Sequence, residues 1–189
     1  MSDAGPHFAI FPGDAMNPSN SVRFAGPAEL ERLQHIELSA GRLFAEIGME
    51  EIARDEPFSL SELSEYRDDD RLFVFADDEN VPVAYLLVDV VDGCAHIEQV
   101  SVHADHAGKK IGRVLIDHVD GWARQRGLAA VTLTTFRDVP WNAPYYQRCG
   151  FRILDAGEIT PQLRVVRREE ARHGLDRWPR VCMRKDLGG

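Results

Sequence analysis

The stretch VSVHADHAGKKIGRVL, residues 100 to 115, gathers the residue types that hold a phosphate. An alternating apolar run ends in a glycine-bearing, doubly basic turn, and an amphipathic pattern starts at once. The first turn of a helix carries unpaired N–H groups and the positive end of the helix dipole. A strand in front of it aims those groups, and glycine lets a phosphate approach the backbone closely. Gly108 and Gly112 bracket Lys109, Lys110 and Ile111, so two cationic side chains stand at the same place. Two familiar phosphate loops are excluded. There is no Gly-Lys-Ser/Thr as a Walker loop requires. The strand is the fourth in the chain, not the early strand that precedes a dinucleotide fingerprint. On this stretch alone, a plain strand-to-helix corner with solvated lysines stays open.

The elements that must aim this turn can be read from periodicity and punctuation. SVRFA (21–25) predicts a short strand, and Pro27 opens a helix with Leu30, Leu33, Ile36, Leu43 and Phe44 on helical spacing. Ser59 with Glu62 is a capping pattern for a second helix over 59–69. Residues 71–103 read as three strands, with turns at Asp77–Asn80 and Asp92–Gly93. A helix follows over 109–126, its apolar stripe Ile111, Val114, Leu115, Val119 and Trp122, and Gly127 caps it. LAAVTLTTF is a buried strand. Trp141–Arg148 is a short helix with Pro144 in its first turn; FRIL is a strand, Thr160–Gly174 a helix and RVCMRKDL a last strand. The order predicts a single α/β domain over residues 20–189, with a mixed sheet and flanking helices, after an irregular lead-in over 1–19.

Composition narrows the function classes. The chain has 189 residues, 44% of them hydrophobic, enough for one core. No apolar run approaches the roughly 18 to 20 residues of a membrane span, and the N-terminus has no secretory pattern. Cys94, Cys149 and Cys182 are odd in number, widely spaced and without a C-x-x-C, so reduced thiols in a cytoplasmic protein without a metal site are expected. A net charge of -9 argues against a nucleic-acid binder. Residues 46–79 carry 13 acidic and 3 basic side chains, a solvated face or a segment that attracts a cationic substrate.

The second informative stretch, WNAPYYQRCGF, begins 29 residues after Gly112. Together the two stretches resemble the GNAT superfamily of N-acetyltransferases. In that family a strand ending Val-x-Val is followed by Q/R-x-x-G-x-G/A, whose backbone holds the acetyl-CoA pyrophosphate, and a later helix carries Tyr-x-x-x-Gly-Phe. Val100 and Val102 match the strand end; Tyr146, Gly150 and Phe151 match the second signature. The chain departs at Ala107, where the family has Gln or Arg, and at Lys110, where it has the first motif glycine; Gly108 comes two residues earlier and Gly112 is retained.

The resemblance implies a GNAT-like fold with a central, mostly antiparallel sheet, and acetyl-CoA as co-substrate without a metal. It implies cofactor contacts from Val100, Val102, Ala107, Gly108, Lys109, Lys110, Ile111, Gly112, Arg113 and Tyr145. Asn142 either bonds the pantetheine or caps its own helix. It implies direct attack by a primary amine on the thioester, with Glu98 as general base and Tyr146 as the acid for the leaving thiolate. His96 and His103 are rival bases, because free imidazole titrates near about pH 6.5. The acceptor pocket should come from residues 36–70, with Phe44, Phe58 and Glu46 in its walls and a small amine, polyamine or lysine as acceptor. Trp141 walls that pocket or belongs to the core. A CoA-binding regulatory module without turnover, or a transferase of another acyl group, are the rival readings. Homodimers are common in the family; nucleic-acid and membrane partners are not expected.

Overall fold

The computed structural model describes residues 22–188, so the expected lead-in over 1–19 lies outside the described residues. Short β1 (Val22–Phe24) leads into α1 (Leu30–Ala45), α2 (Glu50–Ala53) and α3 (Leu60–Asp68). Strands β2 (Leu72–Ala76), β3 (Pro82–Val91) and β4 (Cys94–Val102) then form a meander. After it come α4 (Ile111–Gln125), β5 (Ala130–Phe136), α5 (Ala143–Arg148), β6 (Arg152–Ile153), α6 (Pro161–Arg172) and β7 (Arg180–Asp186). The sequence order holds, with the one-turn α2 as an addition.

Local chemistry explains the corners. Asp92 and Gly93 both take positive φ, 49° and 72°, the geometry of a two-residue hairpin whose twist suits the strands. The Asp92 carboxylate also accepts N–H bonds from Gln162 at 2.9 Å and Leu163 at 3.3 Å, capping α6. Ser59 and Glu62 form the expected capping box on α3.

The seven strands run in the order β1-β2-β3-β4-β5-β7-β6, and every neighbouring pair is antiparallel except β4–β5. Alternation along each strand feeds two cores. Phe73, Leu86, Val88 and Leu133 pack under α4, while Leu72, Val74, Tyr85 and Leu87 pack under α1 and α3. Leu115, Ile116 and Val119 of α4 are fully buried, but Val114 is 43% exposed. At 100° per residue Val114 falls roughly 130° from the centre of the buried arc, and Ile116 takes its place in the core. Asp120, buried on the same helix, bonds Lys185 of β7 at 2.5 Å and fastens α4 over the sheet.

The sheet opens at one place. Strands β4 and β5 pair only through Ala95–Val131, His96–Thr132 and Ile97–Leu133. Beyond that, β4 runs on to Val102 and β5 to Phe136 without pairing each other. At the same level the β3–β4 register slips: Leu87 faces Gln99 and Val88 faces Ile97, which leaves Glu98 as the extra residue of a β-bulge. A bulge bends its strand and adds twist, so β4 leaves its parallel neighbour there.

Past Val102 the chain makes a short 3-10 turn, Ala104–His106, then Gly108 at φ 77° and Lys110 at φ 61°, before α4 begins. Lysine in the left-handed region is strained by its Cβ, by about 1 kcal/mol. Lys110→Gly should therefore raise the denaturant midpoint by an amount worth up to about 1 kcal/mol, less the entropy glycine adds to the unfolded chain. An unchanged or lower midpoint would mean the turn tolerates the lysine without strain.

Candidate active site

The parted strands enclose a cleft of about 1270 Å³. Residues 97–102 of β4 form one wall and residues 133–136 of β5 the other. At one end it reaches the β4–α4 turn, where Ala107, Gly108, Lys110, Ile111 and Gly112 line it with Val100 and Val102. Among the described residues, the N–H groups of 108–112 meet no acceptor in the protein. A Cβ on Gly108 would have nothing within 4 Å. One on Gly112 would stand 3.1 Å from the Tyr145 hydroxyl, which therefore lies over the first turn of α4. Free backbone donors gathered at a helix N-terminus in this way could hold an anion. Lys109 and Arg113 do not line the cleft; Arg113 bonds Asp117 at 2.9 Å and the Arg148 carbonyl at 3.0 Å.

Glu98 projects from the bulge into the cleft, its side chain 36% exposed. Loss of surrounding water pushes its carboxyl up to about 7; the Asp89 and Glu170 carboxylates add to this and Arg180 opposes it. His96 is 1% exposed and bonds Thr132 at 3.0 Å. Burial drives its imidazole down to about 4, so it is neutral, with Nε2 4.0 Å from the Glu98 carboxylate. His103 lies outside the cleft, in a separate hollow of about 400 Å³ beside Arg32 and His35. Of the three candidate bases, Glu98 alone lines the cleft.

Both tyrosines of α5 line it. Tyr146 is 8% exposed, edge-on to Phe151 with ring centres 5.9 Å apart, and burial holds its phenol well above the ordinary value. Tyr145 is raised for the same reason. Each phenol thus stays protonated at neutral pH and able to donate. Asn142 stands at the N-cap of α5, but its side chain makes no capping bond. Its Nδ2 donates to Thr135 at 2.7 Å, while its Oδ1 is buried without a partner.

Phe44, Phe58 and Trp141 also line the cleft, whereas Glu46 is exposed and does not. Glu46 follows the last residue of α1 and lies outside the cleft lining, correcting its place in the expected pocket. Two clusters escape the sequence reading. Glu37 accepts from Tyr85 at 2.5 Å, the Phe58 N–H at 3.2 Å and Gln99 at 3.2 Å. Burial raises its carboxyl, with Asp55 and Glu62 adding and the hydrogen bonds from Tyr85 and Phe58 opposing. Its only sequence signal is a carboxylate inside the Leu33–Ile36 face of α1. Arg180 donates to Glu170 at 2.7 Å and Thr134 at 3.1 Å, its guanidinium 4.6 Å from the Phe136 ring centre. Burial would raise Glu170, but Arg180 together with bonds from Thr134 and Arg167 holds it below the usual carboxylate value.

Residues 32–151 match the family described as the Acetyltransferase (GNAT) family. The fold is similar to the PaiA N-acetyltransferase of Thermoplasma acidophilum, solved with coenzyme A. That match has a TM-score of 0.66 at 15% identity and covers 89% of this chain and 99% of that one. It is also similar to the ribosomal-protein-S18-alanine N-acetyltransferase of Escherichia coli, with a TM-score of 0.60 at 17% identity, covering 90% and 95%. A family match across 120 of 189 residues, on a mostly antiparallel sheet that opens between its two parallel strands, identifies the chain as a member of the GNAT acetyltransferase family.

Proposed function

We propose that the chain transfers the acetyl group of acetyl-CoA to a primary amine by direct attack within the cleft. The observation that carries this reading is the parting of β4 and β5 at the Glu98 bulge, with an anion cradle at one end. The unpaired N–H groups of 108–112 suit a pyrophosphate. Their capacity is backbone in origin, so Ala107 and Lys110 do not remove it. The unpaired β4 edge beyond Ile97 offers peptide groups to an extended amide chain, and the orphaned Oδ1 of Asn142 suits an amide N–H. Bound acetyl-CoA supplies the activated acyl group.

The remaining chemistry belongs to this chain. An alkylammonium has a pKa near about 10.4 and must lose its proton before it attacks. Glu98, with its carboxyl near 7, accepts that proton directly or through one water. The protonated phenol of Tyr146 donates to the departing thiolate. With an acid and a base in one cleft, turnover is favoured over a purely regulatory module.

Acetyl-CoA should raise the melting temperature, and Gly112→Pro should abolish the shift by deleting one donor and filling the cradle. No shift at millimolar acetyl-CoA would sink the reading. Tyr146→Phe should keep binding and lower kcat by about 10²-fold, with a much milder effect from Tyr145→Phe. Retention of full kcat, with chemistry limiting, would leave Tyr146 a packing residue.

Glu98 carries a pH signature in both rate and stability. kcat/KM should rise with pH through about 7, and Glu98→Gln should lose that limb and recover toward high pH, where the amine deprotonates unaided. The carboxyl stands above its unfolded value of about 4.3, so its ionisation weakens the fold as pH rises through about 7. Glu98→Gln should therefore be more stable than the parent at pH 8, the difference shrinking toward pH 4. Equal stability at both pH values would show that Glu98 is not desolvated.

A further inference from the structure

We infer that the preferred acceptor is a monoamine with an aromatic body, its amine at Glu98 and its ring against Phe44 and Trp141. This inference rests on the acetyltransferase reading and narrows its acceptor.

The charge inside the cleft does not suit a polycation. Of the 13 acidic residues in 46–79, only Asp55, Glu56 and Glu62 line it. Glu62 is committed to the N-cap of α3, accepting from the Ser59 N–H at 2.9 Å and its hydroxyl at 2.6 Å. Asp55 and Glu56 are exposed. Beyond that segment, Glu37 already has three donors, and Glu170 is held by Arg180, Arg167 and Thr134. Glu169 pairs with Arg172. Glu98 is the carboxylate in the strand walls that no donor engages among the described residues. A polyamine would need a row of such unclaimed carboxylates at the spacing of its ammonium groups. This cleft offers one on a strand wall and two on the connection between α2 and α3, which can steer a cation but do not form a row along one wall for a chain of ammonium groups.

The remaining wall is aromatic. Phe44 meets Phe136 and Trp141 edge-on, with ring centres 5.8 and 5.6 Å apart. Phe136 is 5% exposed and rests on Met49 and Val139, a rigid backing. Trp141 is 36% exposed and Phe44 partly so, both on the cleft side of that backing. Apolar ring surface left open inside a cavity gains from being covered, and a third ring extends the edge-to-face set at the spacing aromatic pairs prefer.

The test is a thiol-release assay at saturating acetyl-CoA with 2-phenylethylamine, propylamine, spermidine and a hexapeptide with a free N-terminus. 2-Phenylethylamine should exceed propylamine in kcat/KM by at least about 10-fold, since apolar pockets discriminate by that much per methylene. Spermidine should do no better than propylamine. Trp141→Ala and Phe44→Ala should each cut the 2-phenylethylamine to propylamine ratio by about 10-fold, a ratio that loss of folded protein does not change. Preference for spermidine or the peptide, or an unchanged ratio in both variants, overturns the inference. Failure of every amine to react would instead remove the acetyl-transfer reading. The pocket is then judged by calorimetry on the CoA-saturated protein, where tighter binding of 2-phenylethylamine than of spermidine upholds it and the reverse rejects it.

Discussion

One extra residue in one strand governs the site. Glu98 has no partner across the β3–β4 ladder, so β4 bends at that residue and leaves β5 after three paired positions. Two parallel neighbours that separate while both remain extended expose backbone donors and acceptors on their facing edges. Elsewhere in a sheet such an edge is a liability; here it lines a cleft. The same bulge redirects the Glu98 side chain away from simple alternation and into the opening. Opening the cleft and delivering a carboxylate into it are one structural event.

The electrostatics follow from that geometry. A carboxylate in a narrow opening loses water and shifts toward neutral pH, and Asp89 and Glu170 push it the same way. Both neighbours are themselves engaged, Asp89 by an ion pair with Arg71 and a hydrogen bond from Tyr66, Glu170 by Arg180, Arg167 and a hydrogen bond from Thr134. Glu98 is left as the carboxylate in the strand walls without a donor. Tyr146 is buried in the core with Phe151, and that burial keeps its phenol protonated.

Most elements were legible because the signals are local. Periodicity marked α1 and α4, the Ser59–Glu62 box marked α3, and Asp92–Gly93 marked the β3–β4 hairpin. The two glycine-bearing stretches marked the β4–α4 turn and the helix that carries the tyrosines. The bulge was not legible, since alternation sets Glu98 opposite Ile97 and Gln99 and only the ladder with β3 reveals the extra residue. Val114 was misplaced because apolar residues at helical spacing fit more than one arc; the buried arc is fixed by what lies beneath it. Glu37 and Arg180 escaped because their partners are far away in sequence. Glu37 on α1 meets Tyr85 of β3 and Gln99 of β4, and Arg180 of β7 meets Thr134 of the neighbouring β5. Charge counting over residues 46–79 likewise did not tell which carboxylates face the cleft and which are paired elsewhere, such as Asp68, Asp69 and Glu51.

The central claim, that acetyl-CoA lies between the parted strands with its phosphates on the β4–α4 turn, is tested most directly by a 15N-resolved NMR titration with CoA. The largest amide shifts should fall on Gly108–Gly112 and on Glu98–Val102, with smaller ones on the facing Thr134–Phe136. Saturable shifts confined to the hollow beside Arg32, His35 and His103, or a titration that leaves the amides of 108–112 unmoved, would contradict it.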